Sequence, residues 1–281
     1  MNVAVVGMGL IGGSFAKAFS QLENHAVFGE NRSKNVVEQA IAEGVLTAEL
    51  NEENIKSCKL IIVALYPQRL IEWLEAHAHL INSDAIVIDT CGVKKAVCST
   101  CEKIAAEHGF TFIGAHPMAG VEHSGYNYSK ADMFINASMI LVPPASVSKQ
   151  KVDELGEMMA TVGFNRIVIT NDVEHDRMIA YTSQLAHVVS SAYVHSPCAL
   201  RHKGFSAGSY RDMTRVATLN EDMWTELFMD NSEALAEQLE ELMEVLERYH
   251  TAIKNRDAKT LHQMLKEGRL RKEQTDGKVL K

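Results

Sequence analysis

Two stretches of this chain carry residue types that could do chemistry. The first, residues 111–125, reads TFIGAHPMAGVEHSG. An apolar, strand-like run at 111–113 ends in Gly114, and His116 follows between small residues and Pro117. Histidine is the side chain best poised to take or give a proton near neutral pH. Pro117 restricts His116 to extended backbone, so the imidazole is aimed. The pair is expected where a buried strand hands the chain to a surface loop that Gly120 and Gly125 let fold back. In an open parallel sheet such strand ends line the ligand crevice. A lone histidine at a strand end is more commonly packed and bonded to nearby backbone. It is the company His116 keeps elsewhere in the chain that turns the reading toward a base.

The second stretch is Gly7-Met-Gly9-Leu-Ile-Gly12, with an apolar strand before it and a helix after it through Phe15, Ala18 and Phe19. Gly7 permits a tight turn, Gly9 lets the backbone approach a pyrophosphate, and Gly12 lets helix and strand pack closely. The N–H groups at the helix start, around Leu10 and Ile11, favour a phosphate. Together these describe a dinucleotide site. Cys98 and Cys101 form a CxxC, but within a helical segment and with no second pair, so neither metal nor redox chemistry is expected there. Five cysteines without regular spacing suit reduced thiols in a cytoplasmic protein.

Such residues need a scaffold. Strands are expected at 1–6, 25–28, 60–65, 85–88, 110–113, 139–142 and 166–169, alternating for the most part with helical segments. That alternation predicts an α/β fold of Rossmann type, a doubly wound parallel sheet with right-handed crossovers. Beyond residue 170 only helical patterns follow, including one from 221 to 254. Two domains are therefore expected, 1–170 for the dinucleotide and 171–281 all-helical. A net charge of -8 with no basic stripe argues against nucleic acid. No apolar run is long enough for a membrane span, and the N-terminus lacks a targeting layout.

The motifs resemble those of the prephenate/arogenate dehydrogenase family. The resemblance rests on GMGLIGGSFAKAF, DTCGVKK, GAHPMAGVEHSG, SQLAH ending at His187, and GSYRDMTRVA with Arg215. It implies a nucleotide-binding domain followed by a helical domain that dimerises, and oxidative decarboxylation of prephenate to 4-hydroxyphenylpyruvate in tyrosine biosynthesis. His116 then bonds the ring hydroxyl and takes its proton. Arg215 binds substrate, which suits a guanidinium able to fork onto a carboxylate. His187 is a second histidine of the substrate pocket, and Glu122, Asp212 and Trp224 shape or gate it. One position departs from the family. Many members carry a serine bonded to the catalytic histidine where this chain has Gly92, leaving Thr90, Cys91 or a water as its replacement. With no chorismate mutase segment or regulatory domain expected, any feedback by tyrosine would act at the active site.

Family members that use NAD read Gly-x-Asp after the second strand, whereas this chain reads Gly29-Glu30-Asn31-Arg32. Neutral Asn31 occupies the acidic slot, and Arg32 and Ser33 offer charge and donors to a 2′-phosphate, so NADP is favoured over NAD. Glu30 is the counter-argument: if it faced the ribose it would repel that phosphate. An acidic residue shortly after the substrate arginine goes with arogenate use, and the residue here is Asn220, which favours prephenate. The competing readings are a 3-hydroxyacid dehydrogenase or imine reductase on the same architecture, or a nucleotide sensor without chemistry.

Overall fold

The computed structural model describes residues 1–121 and 123–277. In chain order the elements are β1 (Asn2–Val6), α1 (Leu10–Ser20), β2 (Ala26–Glu30), α2 (Lys34–Ala42), β3 (Ala48–Glu49), β4 (Leu60–Val63), α3 (Pro67–His77), β5 (Ile86–Asp89), α4 (Lys95–His108), β6 (Thr111–Pro117), β7 (Ser138–Val142), α5 (Lys149–Thr161) and β8 (Arg166–Ile169). Helices alone follow: α6 (Asp172–Ile179), α7 (Leu185–Val194), α8 (Gly208–Thr214), α9 (Glu221–Asp230), α10 (Ser232–Lys254) and α11 (Ala258–Thr275). A π turn, Ala180–Gln184, joins α6 to α7.

The strands form one eight-stranded sheet in the order β3-β2-β1-β4-β5-β6-β7-β8. The chain reverses its direction of winding between β1 and β4, the crevice where such sheets bind ligands. Strands β1, β4 and β5 are continuous apolar runs because helices cover both faces. Two apolar cores result. One gathers Phe15, Phe19, Phe134 and Phe164; the other gathers Ile61, Trp73, Leu74 and Phe112.

The sheet is not wholly parallel, contrary to the expectation. Strand β7 runs antiparallel to β6, pairing His116 with Ile140 and Pro117 with Met139, while β8 is again parallel to β7. Helix α5 carries the chain from β7 to β8 as a crossover, but among the described residues the connection from β6 to β7 holds only a short 3-10 turn, Tyr126–Tyr128. Without a crossover helix the chain returns antiparallel. The added ladder extends β6 through His116 and Pro117, so His116 sits inside a strand, not at a strand-to-loop handover. Strand β2 likewise runs on to Glu30, beyond the expected end at residue 28.

The expected helix at 221–254 is interrupted at Asn231, whose side chain is buried and bonded to Asp176 O at 2.9 Å and Gln184 Oε1 at 2.7 Å. Compact packing divides the chain into two units, Met1–Asn231 and Ser232–Lys281. The second contains α10 and α11, which pack on each other. Among the described residues, no helix is long and apolar enough to cross a membrane.

Candidate active site

The glycine loop leaves β1 with Gly7 at φ +88°, where a side chain would run into the Ala64 carbonyl. A side chain at Gly12 would strike the Gly7 carbonyl, so that glycine is what lets α1 pack against the loop. The surface at Gly9 is open instead, and Gly9 caps α1 without any side-chain hydrogen bond. Among the described residues, no side chain caps the N–H groups at the start of α1, around Leu10 and Ile11. That arrangement fits a dinucleotide pyrophosphate.

Beside this loop, Asn31 Oδ1 accepts the Met8 N–H at 3.1 Å and Asn31 Nδ2 donates to Ser33 O at 3.3 Å. Asn31 thus abuts the glycine loop. Glu30 is held elsewhere: its Oε2 accepts the Trp73 indole N–H at 2.9 Å, and Trp73 stacks on His77. Arg32 and Ser33 are exposed.

Strand β6 is fixed next to His116 by a buried ion pair. Asp89 and Lys94 are both 0% exposed and bonded to each other. Asp89 also accepts the Ala115 N–H at 2.7 Å and the Cys91 N–H at 2.9 Å, tying β5, its following loop and β6 together. The Lys94 ammonium donates to Asp89, Cys91 O and Val93 O, so its donors are taken up inside the protein. Lys94 is thereby a structural lysine.

His116, half-buried, directs Nδ1 to His175 Nε2 at 3.0 Å, and His175 Nδ1 lies 2.6 Å from Asp176 Oδ1. His116 thus has a ring partner in His175, where Gly92 offers no hydroxyl. Cys91, one of the expected substitutes, does not serve, because its Sγ donates to the Leu65 carbonyl at 3.3 Å. Gly92 itself faces Leu227 of α9. Burial, then the neighbouring His175 and Lys94 charges, push the His116 pKa well below its ordinary value. Burial lowers that of His175 too, against the pull of Asp176.

The helical residues assemble a second cluster. His187 on α7 stacks on Trp224 of α9 with ring centroids 3.8 Å apart, and its Nδ1 faces the Ser183 carbonyl at 2.9 Å. Burial lowers its pKa, with Arg215 near enough to add to that shift. Arg215 opens a short turn, Arg215–Ala217, that packs on α7. Asp212 is exposed on α8. Glu122 lies outside the described residues. The two clusters share a frame: Gln184 Nε2 donates to Leu227 O at 2.9 Å, and Asn231 links Asp176 to Gln184.

His175 and Asp176 are the site residues that sequence reasoning missed. Their signal was positional, since His175, Asp176 and Ile179 are the buried positions of α6. A His-Asp pair standing in the apolar stripe of a helix needs a partner. The CxxC cysteines, by contrast, are buried on α4 with thiols pushed upward by burial, Cys101 to about 12. Among the described residues, no group of three or more His, Cys, Asp and Glu is placed to hold a metal ion.

The prephenate dehydrogenase nucleotide-binding domain profile matches residues 15–168, and the prephenate dehydrogenase dimerization domain profile matches residues 171–267. A prephenate dehydrogenase of Bacillus subtilis is 27% identical over 94% of this chain and 73% of its own length. The fold is shared with Synechocystis arogenate dehydrogenase, with a TM-score of 0.85 at 24% identity over 98% of this chain and 100% of that one. It is shared equally with the A. aeolicus prephenate dehydrogenase solved with hydroxyphenyl propionate and NAD+, at 0.85 and 24% over 98% of each chain. With both of its parts matched in order and its glycine loop and paired histidine in place, the chain belongs to the prephenate dehydrogenase family.

Proposed function

We propose that this chain is an NAD(P)-dependent prephenate dehydrogenase that converts prephenate to 4-hydroxyphenylpyruvate and carbon dioxide in tyrosine biosynthesis. The observation carrying the proposal is His116, half-buried and kept neutral by its surroundings within GAHPMAGVEHSG. A neutral imidazole is what a hydroxyl proton requires as acceptor. His116 takes that proton as hydride leaves the same carbon, and the electron pair released with carbon dioxide makes the ring aromatic. Returning the proton to the new phenolate oxygen resets His116 and balances the reaction. When bound, the dinucleotide supplies the hydride acceptor; Gly7, whose own N–H is bonded to the Glu30 carbonyl at 2.9 Å, forms the turn that presents the N–H groups at Gly9, Leu10, Ile11 and Gly12 to its pyrophosphate. Arg215 forks onto a substrate carboxylate, His187 and Trp224 wall the ring, and Asp212 completes the pocket.

NADP is the favoured cofactor within this proposal. Asn31 brings a neutral amide, not a carboxylate, to the glycine loop, with exposed Arg32 and Ser33 beside it. The Trp73 bond holds the Glu30 carboxylate against α3, while Asn31 is the residue that meets the glycine loop. A homodimer through the helical part, 171–281, fits the exposed apolar residues there: Leu200 and Phe205 are 92% and 94% exposed, and Ile253 and Leu265 are exposed in the second unit. Residues 1–170 form the dinucleotide domain in this reading, and the unpaired thiols suit the cytoplasm. Adding prephenate with NADP or NAD and following reduced-nicotinamide absorbance tests the activity. Absence of turnover with both cofactors refutes it.

A further inference from the structure

We infer that His175 and Asp176 form a positioning dyad that fixes His116 in the tautomer protonated at Nδ1, leaving Nε2 as the bare lone pair that receives the substrate proton. The inference rests on the reading of His116 as the base and adds to it residues to which no role had been given.

The chain of donors follows from what each group can do. Asp176 receives two backbone N–H groups at the start of α4: Lys94 N on Oδ1 at 2.8 Å and Lys95 N on Oδ2 at 2.9 Å. A carboxylate at a helix N-terminus, already accepting on both oxygens, is an acceptor only. His175 Nδ1, 2.6 Å from Oδ1, must therefore carry the hydrogen. In a neutral imidazole the other nitrogen then has none, so His175 Nε2 accepts. Across the 3.0 Å contact His116 Nδ1 must donate. Neutral His116 is left with Nε2 unprotonated.

Alternatives fail at the first link. A reversed chain would need a hydrogen on the Asp176 oxygen facing His175, where the Lys94 N–H already points. The charged groups around the pair agree in direction. Lys94, whose ammonium lies inside the 89–94 loop, disfavours a second positive charge on either ring, while Asp89 and Asp176 favour charge on His175. When His116 takes the proton, its Nδ1–H already points along a path of acceptors ending at Asp176. No further bond needs to form or break.

Conservative variants separate this role from packing. The Gln side chain in His175→Gln can reach His116 with a carbonyl oxygen in place of Nε2. His175→Asn keeps a donor for Asp176 but withdraws the acceptor from His116. In the whole 281-residue chain we expect His175→Asn to lower kcat about 10- to 100-fold, with KM for prephenate within about twofold, and His175→Gln to keep kcat within about threefold. Imidazole nitrogen NMR of ¹⁵N-histidine-labelled wild type should show His116 protonated at Nδ1 and bare at Nε2 at neutral pH. Loss of the His116 assignment in a His116→Asn sample identifies the signal. Equal losses in the Asn and Gln variants, a change in KM alone, or a His116 signal protonated at Nε2 would overturn the dyad. If His175→Asn melts at markedly lower temperature, the wild-type NMR signal decides. Should the wild type turn over no prephenate, the functional reading fails while the tautomer is still read directly from the spectrum.

Discussion

Trp73 donates its indole N–H to Glu30 at 2.9 Å, so the last residue of β2 is committed to α3 while the next residue, Asn31, bonds to Met8 in the glycine loop. The proposed preference for NADP turns on that one-residue offset. Asn31→Asp keeps an acceptor for Met8 N–H but sets a carboxylate against a 2′-phosphate, a like-charge contact costing several kcal/mol. The expected result is a fall of about tenfold or more in kcat/KM for NADP relative to NAD. Measuring both cofactors at saturating prephenate checks it, and an unchanged ratio removes Asn31 from the ribose site.

His116→Asn should reduce kcat by about 10² to 10⁴ while dinucleotide affinity stays near wild type, because a general base acts only on the reacting proton. Arg215→Ala should do the reverse, raising KM for prephenate at least about tenfold, the equivalent of one charge-assisted bond of roughly 1.5–3 kcal/mol. Steady-state kinetics of the two variants, with dinucleotide titrations, distinguishes chemistry from holding.

The depressed pKa values of His116, His175 and His187 have a definite sign in pH profiles. In the unfolded chain each binds its proton near about pH 6.5. Between that value and the lower folded one, the unfolded state holds more protons, so stability falls as pH drops through that window. The base form of His116 persists to the same lower pH. The acid limb of kcat/KM should therefore lie below the ordinary histidine range, with thermal melting beginning to decline at a higher pH than activity does.

Much of this site was legible before any coordinates. The glycine motif needs only a strand before and a helix after it, and both are local patterns, so β1, the loop and α1 stand as expected. His116 drew notice locally through Pro117 and the surrounding glycines, but its reading as a base rested on the motifs elsewhere in the chain. His175 was not, because neighbouring residues on a helix point in different directions and nothing local says that His175 meets both its own neighbour and a strand far back in the chain. The antiparallel turn of β7 was hidden for a like reason. The apolar run at 139–142 reads the same in either direction, and only the route of the connecting loop decides.

Removing Lys94 should cost the fold more than the chemistry. Burial works against its ammonium, but the Asp89 carboxylate, with Cys91 and Cys98 beside it, more than compensates, and its pKa is raised. Lys94→Met leaves Asp89 as a buried carboxylate without its counter-charge, a loss of about 3–5 kcal/mol when one partner of such a pair is taken away. Urea unfolding of the variant at neutral pH measures this. A loss under about 1 kcal/mol would place the pair among exposed ones, which contribute little.

Asn220 offers a test of substrate choice that leaves the fold alone. It sits five residues beyond Arg215 and caps α9, its Oδ1 accepting the Met223 N–H at 2.8 Å. Aspartate caps a helix as well as asparagine does, and its charge suits the helix N-terminus, so Asn220→Asp should hold or slightly raise the melting temperature. What changes is the charge offered five residues beyond Arg215, the arginine proposed to bind substrate. Arogenate carries an ammonium where prephenate has a keto oxygen, and a carboxylate attracts the first while gaining nothing from the second. The wild type should therefore show the higher kcat/KM for prephenate, and Asn220→Asp should move the ratio toward arogenate by about tenfold, the effect of roughly 1.4 kcal/mol. Both substrates are compared at one cofactor concentration. A wild type preferring arogenate, or a variant with an unmoved ratio, would show that the side chain of the substrate is read by residues other than Asn220.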